Sequence, residues 1–413
     1  MNVDVLIFGG GACGLWLLDE CTRAGHRCVL VSNGPIGGVQ TLGSQGILHS
    51  GIKYALDGRV TPTASRLSTM PGLWRDCLRG QRSPDLSLVR ISSRRCYLWQ
   101  MERGGANPFT NVSKTARGDS ELIELFGDDR PAVLKRQCSH IWRTDEWVID
   151  PRSLVEVLAA QHRPRILHQS PDVNPQFRFD PTRCVTDVRL TAPDHIREMT
   201  LSCRHLLLTA GAGNAHLRNL LGLPENIMQR RPLRMVAVRG DLPELHGHSI
   251  RNGRPELSVT TVDSPADSPV GGTIWQLGGQ LAEDAVHMTP AETIRQADQL
   301  LLRQFPNLPT DRLEWMTYSV DRAEGKTSNG SRPDGPCLMS EENVVTIWPT
   351  KLAFLPSVGE QVLAYLPSPA ERSTPASLGL SDWPSPPLDT PPWSTVVWQS
   401  SDASEALQRP SAA

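Results

Sequence analysis

Residues 3–31 read VDVLIFGGGACGLWLLDECTRAGHRCVLV, and this stretch decides the fold. An apolar run of strand length, residues 3–8, stops at the pattern G-x-G-x-x-G, which is made by Gly9, Gly11 and Gly14. Apolar positions at helical spacing follow, and a second apolar run ends the stretch. Glycines placed in this way within a βαβ unit of ~30 residues predict a dinucleotide site, because they allow a tight turn and close backbone approach to a pyrophosphate at the helix N-terminus.

One expected part of this motif is missing. An Asp or Glu at the end of the second strand normally binds the ribose hydroxyls of the dinucleotide. Here the chain has Ser32, followed by Asn33. Each of them can make one hydrogen bond, but neither offers the two oxygens of a carboxylate, so we expect the ribose to be held less firmly.

The charges of the chain are nearly balanced. Its 413 residues include 42 Lys and Arg and 44 Asp and Glu, which gives a formal net charge of −2. Such a chain has no general attraction to phosphate backbones, which excludes nucleic acid as the main partner. No apolar run approaches the ~20 residues that span a bilayer, so we expect no transmembrane segment, while peripheral membrane contact stays possible.

The nine cysteines are scattered and form no C-x-x-C pair or Cys/His cluster. This pattern predicts reduced, buried thiols in a cytoplasmic protein, without a disulfide framework or a metal site. The pair His246 and His248 has no third ligand nearby in the sequence, so we predict no metal there either.

Residues 367–413 differ in composition from the rest of the chain. They contain nine Pro and ten Ser among 47 residues and show almost no periodic apolar pattern. A segment of this kind cannot bury enough apolar surface to offset its ordering entropy. We therefore predict a disordered Pro/Ser-rich tail after a folded region that ends near residue 366.

Local patterns predict several elements between the glycine motif and the tail. Residues 231–240 and 273–279 read as strands, and residues 291–305 have helical spacing. Residues 103–131 are polar and contain glycine, which predicts a loop.

Five further blocks follow the glycine motif in order. They read GGVQT (37–41), SQGILHSGIKY (44–54), EWVIDP (146–151), LLLTAGAG (206–213) and RPDGP (332–336). Together they resemble the D-amino-acid-oxidase-like flavoprotein superfamily, which includes glycine and sarcosine oxidases, glycerol-3-phosphate dehydrogenase and L-2-hydroxyglutarate dehydrogenase. The second block is most similar to the hydroxyglutarate branch. NAD-binding folds share the opening glycines. They need no second glycine motif, no mid-chain block where the chain re-enters the dinucleotide-binding domain, and no C-terminal glycine/proline turn.

This resemblance implies an α/β fold with FAD as the cofactor. A discontinuous Rossmann-like FAD-binding domain is expected from residues 1–75, 145–215 and 325–366. An interleaved α+β substrate domain with a mainly antiparallel sheet is expected from residues 76–144 and 216–324.

The resemblance also implies which residues contact FAD. They lie in the glycine motifs, at the end of the second strand, and in turns that follow later strands. The residues are Gly9, Gly11, Gly14, Ser32, Asn33, Gly37, Gly38, Thr41, Ser44, Gln45, Gly46, Ala210, Gly211, Pro349, Thr350 and Lys351.

His49 is the first candidate for catalysis. Its block resembles the segment that lies against the flavin in relatives, and imidazole titrates in the range of a general base. A covalent link to the flavin and a purely structural role are the alternatives. Lys53 and Tyr54 either line the same pocket or form an exposed strand edge.

Arg332 and Lys351 are candidates for binding an anionic substrate. Arg332 matches the arginine that binds the substrate carboxylate in amino-acid oxidases, and its planar guanidinium can donate two parallel hydrogen bonds. Lys351 precedes the last helix, where an ammonium and the helix dipole would stabilise negative charge on the flavin or on the substrate. Arg322 is a second candidate, which we expect to pair with Asp321 or Glu324 instead.

The sequence therefore predicts an FAD-dependent oxidoreductase that oxidises a small carboxylate-bearing 2-hydroxy acid by hydride transfer to flavin N5. An amine or amino-acid oxidase is the alternative within the same class. A flavin-binding protein without turnover is the alternative outside it, suggested by Ser32 and by the Pro349-Thr350 turn that replaces a glycine turn. No motif identifies the electron acceptor.

Overall fold

The computed structural model describes residues 1–54, 61–101, 121–263, 272–308, 312–369, 379–380 and 382–400. Its strands are β1 (Asn2–Phe8), β2 (Cys28–Ser32), β3 (Ile91–Ser93), β4 (Cys96–Met101), β5 (Leu122–Glu124), β6 (Cys138–Thr144), β7 (Val148–Ile149), β8 (Ile166–His168), β9 (Gln176–Phe179), β10 (Val185–Thr191), β11 (Glu198–Leu208), β12 (Met228–Gly240), β13 (Gly247–Arg251), β14 (Arg254–Asp263), β15 (Thr273–Gly278), β16 (Glu314–Gly325), β17 (Cys337–Glu341), β18 (Val344–Trp348) and β19 (Gln399–Ser400). Its helices are α1 (Ala12–Arg23), α2 (Gly38–Leu42), α3 (Pro62–Leu67), α4 (Met70–Leu78), α5 (Pro151–His162), α6 (Asn214–Leu220), α7 (Gln280–Asp284), α8 (Pro290–Gln304) and α9 (Leu355–Tyr365).

The first sheet carries the glycine motif. Its main path runs β17-β18-β11-β1-β2-β8, and β10 and β9 extend from β11. β1 pairs in parallel with β2 and with β11, and β11 pairs in parallel with β18. Val5 and Ile7 pack into one core cluster and Leu6 and Phe8 into another, which explains why β1 is apolar without interruption. Because these strands are parallel, the turns that follow β1, β11 and β18 meet at one edge.

The second sheet is larger and mostly antiparallel. Its order is β19-β16-β12-β15-β14-β13-β4-β6-β5, and the pair β13-β4 is parallel. α8 packs on it through Ile294, Leu301 and Phe305, which share a core cluster with Trp275 and Trp315. The strands predicted at 231–240 and 273–279 and the helix predicted at 291–305 are confirmed as β12, β15 and α8.

The segment after α2 joins the two sheets. Gln45 Nε2 donates hydrogen bonds to the carbonyl oxygens of Ser258 (3.3 Å) and Gln276 (3.0 Å) in the second sheet. In return, the Tyr318 hydroxyl donates to the carbonyl oxygen of Gly43 at 3.2 Å. These bonds hold the first sheet's carboxyl edge against the second sheet, and the large cavity of the protein opens between them.

The prediction of a disordered tail is wrong for residues 382–400. Trp383 and Trp393 are each only 7% exposed, and Trp383 Nε1 donates to the His168 carbonyl oxygen at 2.9 Å. β19 pairs with β16. The segment is poor in apolar residues, but its two buried indole rings supply a large apolar area. Its backbone also forms hydrogen bonds with strands that are already part of a sheet.

Three smaller predictions, a loop, the state of the cysteines and the transmembrane segment, can be compared with the structure. Residues 122–124 were expected to be part of a loop but form β5, because the edge of β6 offers unpaired backbone groups. Residues 103–120 of that expectation lie outside the described residues, and residues 125–131 form no strand or α-helix and include the 3₁₀ turn Gly127–Asp129. All nine cysteines are free thiols, and seven of them are buried. Within the described ranges no helix has the length and apolar character to cross a bilayer.

Candidate active site

The turn after β1 is shaped by close packing that excludes side chains. Gly9 has φ +118°, and a Cβ there would lie 2.6 Å from the Ala210 backbone nitrogen. A Cβ on Gly14 would lie 1.9 Å from the Gly9 carbonyl oxygen. α1 begins after Gly11 with no side-chain cap and no acidic residue in its first turn. The positive end of its dipole therefore faces the cavity and can bind an anion.

The second glycine pair and the end of β2 border the same space. Gly37 and Gly38 have φ +108° and +54°, and Thr41 Oγ1 accepts a hydrogen bond from the Ala12 backbone nitrogen at 3.2 Å. Ser32 is buried, and its hydroxyl donates to the Gly34 carbonyl oxygen at 2.9 Å. The hydroxyl proton of Ser32 is thus engaged, although its oxygen can still accept a hydrogen bond from a ligand. Asn33 also lines the cavity, and its side chain is exposed.

The segment Ser44–Gly46 passes along the middle of the cavity. Gly46 has φ +67°, and a Cβ there would lie 2.0 Å from the Ile149 carbonyl oxygen. The side-chain amide of Gln45 donates hydrogen bonds to the second sheet, as described above. Ser44 Oγ is buried without a hydrogen-bond partner in the described residues, so it is available to a ligand.

The turns after β11 and β18 complete this wall. Gly211 has φ +58°, and its carbonyl oxygen accepts a hydrogen bond from Trp348 Nε1 at 3.2 Å. Thr350 has φ +65°, and its hydroxyl donates to the Gly335 carbonyl oxygen at 2.7 Å. The glycine turn expected here is therefore replaced by a left-handed threonine that a buried hydrogen bond stabilises.

Every residue predicted to bind the cofactor except Gly14 lines one cavity of about 1400 Å³, and Gly14 supports the turn from behind. This volume exceeds the ~300–1000 Å³ of ordinary small-molecule pockets. An extended dinucleotide fits such a space, and the start of α1, whose first turn contains no acidic residue, would hold its pyrophosphate. The buried, unpartnered hydroxyl of Ser44 also suits FAD, which can supply the missing hydrogen bond.

Three cationic side chains surround Tyr54 at the other end of the cavity. The Arg332 guanidinium lies 4.6 Å from the ring centroid, Lys351 Nζ 5.1 Å and Lys53 Nζ 5.2 Å. Lys351 Nζ and Arg332 Nε are buried without a hydrogen-bond partner. Among the described residues no carboxylate forms an ion pair with any of the three, so positive charge predominates around this ring.

His49 lies beside this cluster. Its Nε2 is 2.8 Å from Lys53 Nζ, and its Nδ1 is 3.9 Å from Glu146 Oε2. Glu146 is fixed by Ser50, whose backbone nitrogen and hydroxyl donate to Oε1 at 2.6 and 2.8 Å. Because an ammonium can only donate, Nε2 of His49 accepts, and the ring proton lies on Nδ1, on the side of Glu146.

Burial and charge shift the pKa values of these groups. Burial lowers the pKa of His49 well below its usual value, and the nearby cations act in the same direction. Burial lowers the pKa of Lys351 to about 8. Burial acts to raise the pKa of Tyr54, but Lys53, Lys351 and Arg332 together outweigh it and lower that pKa to about 8. The site therefore holds a neutral imidazole and two groups that titrate near pH 8.

Two residues near His49 were not singled out in the sequence. His248 was set aside for want of a third ligand, yet its ring centroid lies 5.6 Å from that of His49. His49, Glu146 and His248 place ligand-type atoms within 4.8 Å of one another. Only the pairing of β13 beside β4 brings His248 here, and no sequence spacing signals it.

Arg322 does not pair as expected. It lies 3.4 Å from Glu283 and donates to the Arg231 carbonyl oxygen at 3.0 Å. Asp321 pairs with Arg230 and Glu324 with Arg231. The expectation is wrong because neighbouring residues of a strand point to opposite faces, so Asp321 cannot share a face with Arg322. Glu283, contributed by α7, reaches Arg322 only in the folded chain.

Comparisons with known proteins agree with this geometry. The model of the DAO family, described as FAD dependent oxidoreductase, matches residues 4–346. A probable FAD-dependent oxidoreductase of Pseudomonas aeruginosa is 35% identical over 398 residues, which cover 95% of this chain and 98% of that protein. A crystal structure of an FAD-dependent oxidoreductase from the same organism superposes with a TM-score of 0.78 at 31% identity, covering 95% of this chain and 98% of that one.

More distant structures share the fold. Glycine oxidase from Geobacillus kaustophilus superposes with a TM-score of 0.61 at 15% identity, over 92% of this chain and 99% of that one. L-alpha-glycerophosphate oxidase from Mycoplasma pneumoniae, solved with FAD bound, gives 0.61 at 13% identity, over 89% and 95%. The family match and the full-length relative together show that this chain belongs to the DAO family of FAD-dependent oxidoreductases, and that FAD is its cofactor.

Proposed function

We propose that this enzyme oxidises a small 2-hydroxy acid to the corresponding 2-oxo acid. The observation that carries this proposal is the cluster of Lys53, Arg332 and Lys351 around Tyr54, without a carboxylate partner among the described residues. Buried cations without counter-ions are costly, and a bound carboxylate would relieve that cost. The cluster therefore favours an anionic substrate.

The same charges favour a hydroxy acid over an amino acid. A zwitterionic amino acid would bring an ammonium group into a site that already holds three cations. Glu324, whose charge acts on Lys351, is already paired with Arg231 at 3.3 Å. Glu146 accepts two hydrogen bonds from Ser50. A neutral hydroxyl meets no such repulsion.

In this proposal each side chain has a distinct task. Arg332 binds the substrate carboxylate through its planar fork. Lys351, at the start of the 3₁₀ turn that leads into α9, adds positive charge for the substrate or for the reduced cofactor. His49 holds Lys53 in place through the 2.8 Å contact instead of taking a proton from the substrate itself. FAD supplies the two-electron chemistry when it is bound.

Anaerobic absorbance spectroscopy of the purified protein tests the proposal. Glycolate, lactate, malate and 2-hydroxyglutarate are each compared with the amino acid of the same carbon skeleton. Bleaching of the flavin bands by at least one hydroxy acid, and by none of its amino-acid counterparts, is the expected result.

Other outcomes identify the alternatives. Bleaching by amino acids alone would show an amine or amino-acid oxidase and overturn the proposal. A yellow protein that no member of either series reduces, and that binds none of them in a flavin difference spectrum, would favour a flavin-binding protein without turnover.

A further inference from the structure

Tyr54 lies at the centre of the three cations, and the proposed function gives it no task. It sits at the end of the 3₁₀ turn Ile52–Tyr54, lines the cavity, and is partly buried. Its phenol oxygen interacts with the Lys53 ammonium, and its ring faces Arg332 and Lys351. A phenol in this position can exchange a proton with a bound substrate.

His49 is poorly placed for that exchange. Its Nε2 lone pair accepts the hydrogen bond from Lys53, and its Nδ1 proton faces Glu146 at 3.9 Å. Burial and three cations keep the ring neutral, since they lower its pKa. An imidazole held in this way would have to release Lys53 before it could take a proton from the substrate.

The cations change the chemistry of the phenol. Among the described residues, the charged groups that act on it are positive: Lys53 from its own turn, Arg332 from the loop before β17, and Lys351 from the loop after β18. The other titratable neighbour is the neutral ring of His49, 6.2 Å away between centroids. Tyr54 also packs against an apolar cluster that contains Ile52, Ala64 and Leu98. A phenolate here would be stabilised by these three positive charges, and the described carboxylates in this region act on its neighbours, Glu146 on His49 and Glu324 on Lys351.

We propose that Tyr54, as its phenolate, is the base that takes the hydroxyl proton of the substrate. The substrate O–H bond breaks and its proton goes to the Tyr54 oxygen, while the C2–H bond breaks with its electron pair and the hydride goes to the oxidised flavin. A carbon–oxygen double bond forms, so the products are a 2-oxo acid, neutral Tyr54 and the reduced, anionic flavin. This inference rests on the proposed function and adds to it the proton acceptor.

Lys53 is a positioning residue in this scheme. Its ammonium lies 2.8 Å from His49 Nε2 and also interacts with the Tyr54 oxygen, and Glu146 lies 3.9 Å from the other ring nitrogen of His49, Nδ1. Removing the ammonium should raise the pKa of Tyr54 toward its ordinary value of about 10 and shift the rise of activity to higher pH.

The pH dependence follows from the two groups that titrate near 8. Activity rises as Tyr54 loses its proton, and falls as Lys351 loses its charge and with it the grip on the anion. The plot of activity against pH should therefore be bell-shaped. Because Lys351 Nζ lies 5.1 Å from the centroid of the Tyr54 ring, the two groups titrate together, and the apparent pKa values of the two limbs belong to the pair and not to either residue alone.

The first experiment is an ultraviolet pH titration of tyrosinate in the holoenzyme, without substrate. The wild type is compared with Tyr54→Phe and with the exposed-site control Tyr365→Phe. We expect one tyrosinate to form near pH 8 in the wild type and the control, and to be absent in Tyr54→Phe. A phenol that first ionises at about 10 in all three proteins would overturn the proposal.

The second experiment measures the anaerobic rate of flavin reduction against pH. Tyr54→Phe should slow reduction by ~10²- to 10⁴-fold, the usual contribution of a general base, and lose the acidic limb. The affinity for the carboxylate should change only a few-fold. Lys53→Met should keep the acidic limb but move it to higher pH, and its flavin content reports folding.

The failures of this inference and of the proposed function look different. If the wild type reduces with hydroxy acids and Tyr54→Phe reduces equally fast, or loses affinity alone, Tyr54 is a binding residue and not the base. If no hydroxy acid reduces the wild type, the proposed function itself fails, whatever the tyrosinate titration shows.

Discussion

The two ends of the large cavity are built in different ways. At the end around α1, backbone geometry makes the site: Gly9 and Gly14 leave no space for a side chain, and the first turn of the helix contains no acidic residue. At the other end, side chains make the site: Tyr54, Arg332 and Lys351 come from three distant segments. The first end therefore suits a cofactor that is common to a whole family. At the second end, substitution of a few side chains would be enough to change which substrate binds.

The largest expected effect comes from the glycine end. Gly14→Ala would place a Cβ 1.9 Å from the Gly9 carbonyl oxygen, so β1 and α1 could not keep their packing. We expect loss of FAD incorporation, measured as the ratio of flavin to protein absorbance. Gly72→Ala in α4 is the matched control, because a Cβ there meets nothing within 4 Å. Normal flavin content in Gly14→Ala would contradict this picture.

The C-terminal segment gives the next effect. Trp383 packs with Leu6 and Phe8 of β1 in a core cluster. Trp383→Ala should lower the free energy of unfolding by about 3–5 kcal/mol, the usual cost of deleting a buried tryptophan. Denaturant unfolding measures the loss, and Val397→Ala, at a residue that is 82% exposed, should be nearly neutral. Equal stability of the two variants would restore the idea of a disordered tail.

At the substrate end, the effect should fall on anion binding alone. Arg332→Ala removes one of the three cations and should weaken carboxylate binding by about 10- to 100-fold, which corresponds to the ~1.5–3 kcal/mol of a charged hydrogen bond. Flavin difference spectra measure the dissociation constant. FAD content should stay unchanged, and Arg152→Gln on the surface of α5 should alter neither quantity. Loss of FAD from Arg332→Ala would erase the distinction between the two ends.

The smallest effect concerns pH. Burial lowers the pKa of Lys351 to about 8, and Lys351 can attract an anion only in its charged form, so carboxylate affinity should fall as pH rises through 8. Lys351→Arg stays charged over the accessible range and should keep its affinity above pH 8. Titrating the dissociation constant between pH 6 and about 10 distinguishes the two proteins. Identical profiles would remove Lys351 from the anion site.

Much of the fold was predictable because its signals are local. The run from β1 to β2 encodes strand, glycine turn and helix within one short stretch, and α8 and β12 follow from periodicity. The tail was misjudged because its low apolar content hides two tryptophans. Their burial depends on grooves that other segments provide.

The candidate site was predictable only in part. Arg332 and Lys351 could be identified as candidates from the sequence segments around them, and in the structure both lie next to the ring of Tyr54. The neighbours that decide their chemistry did not stand out, because His248 reaches His49 through sheet pairing, and Glu283 reaches Arg322 from α7. Charges act over distances in space that the order of residues does not record.

The sequence by itself determined the core of the cofactor end, because the glycine positions and the strand-to-helix spacing of the first thirty residues dictate the shape of the turn between β1 and α1. Only the tertiary structure decided the substrate end, where Lys53, Arg332 and Lys351 meet around one phenol. Their meeting there is a property of the assembled sheets, and so is the depressed pKa of Tyr54.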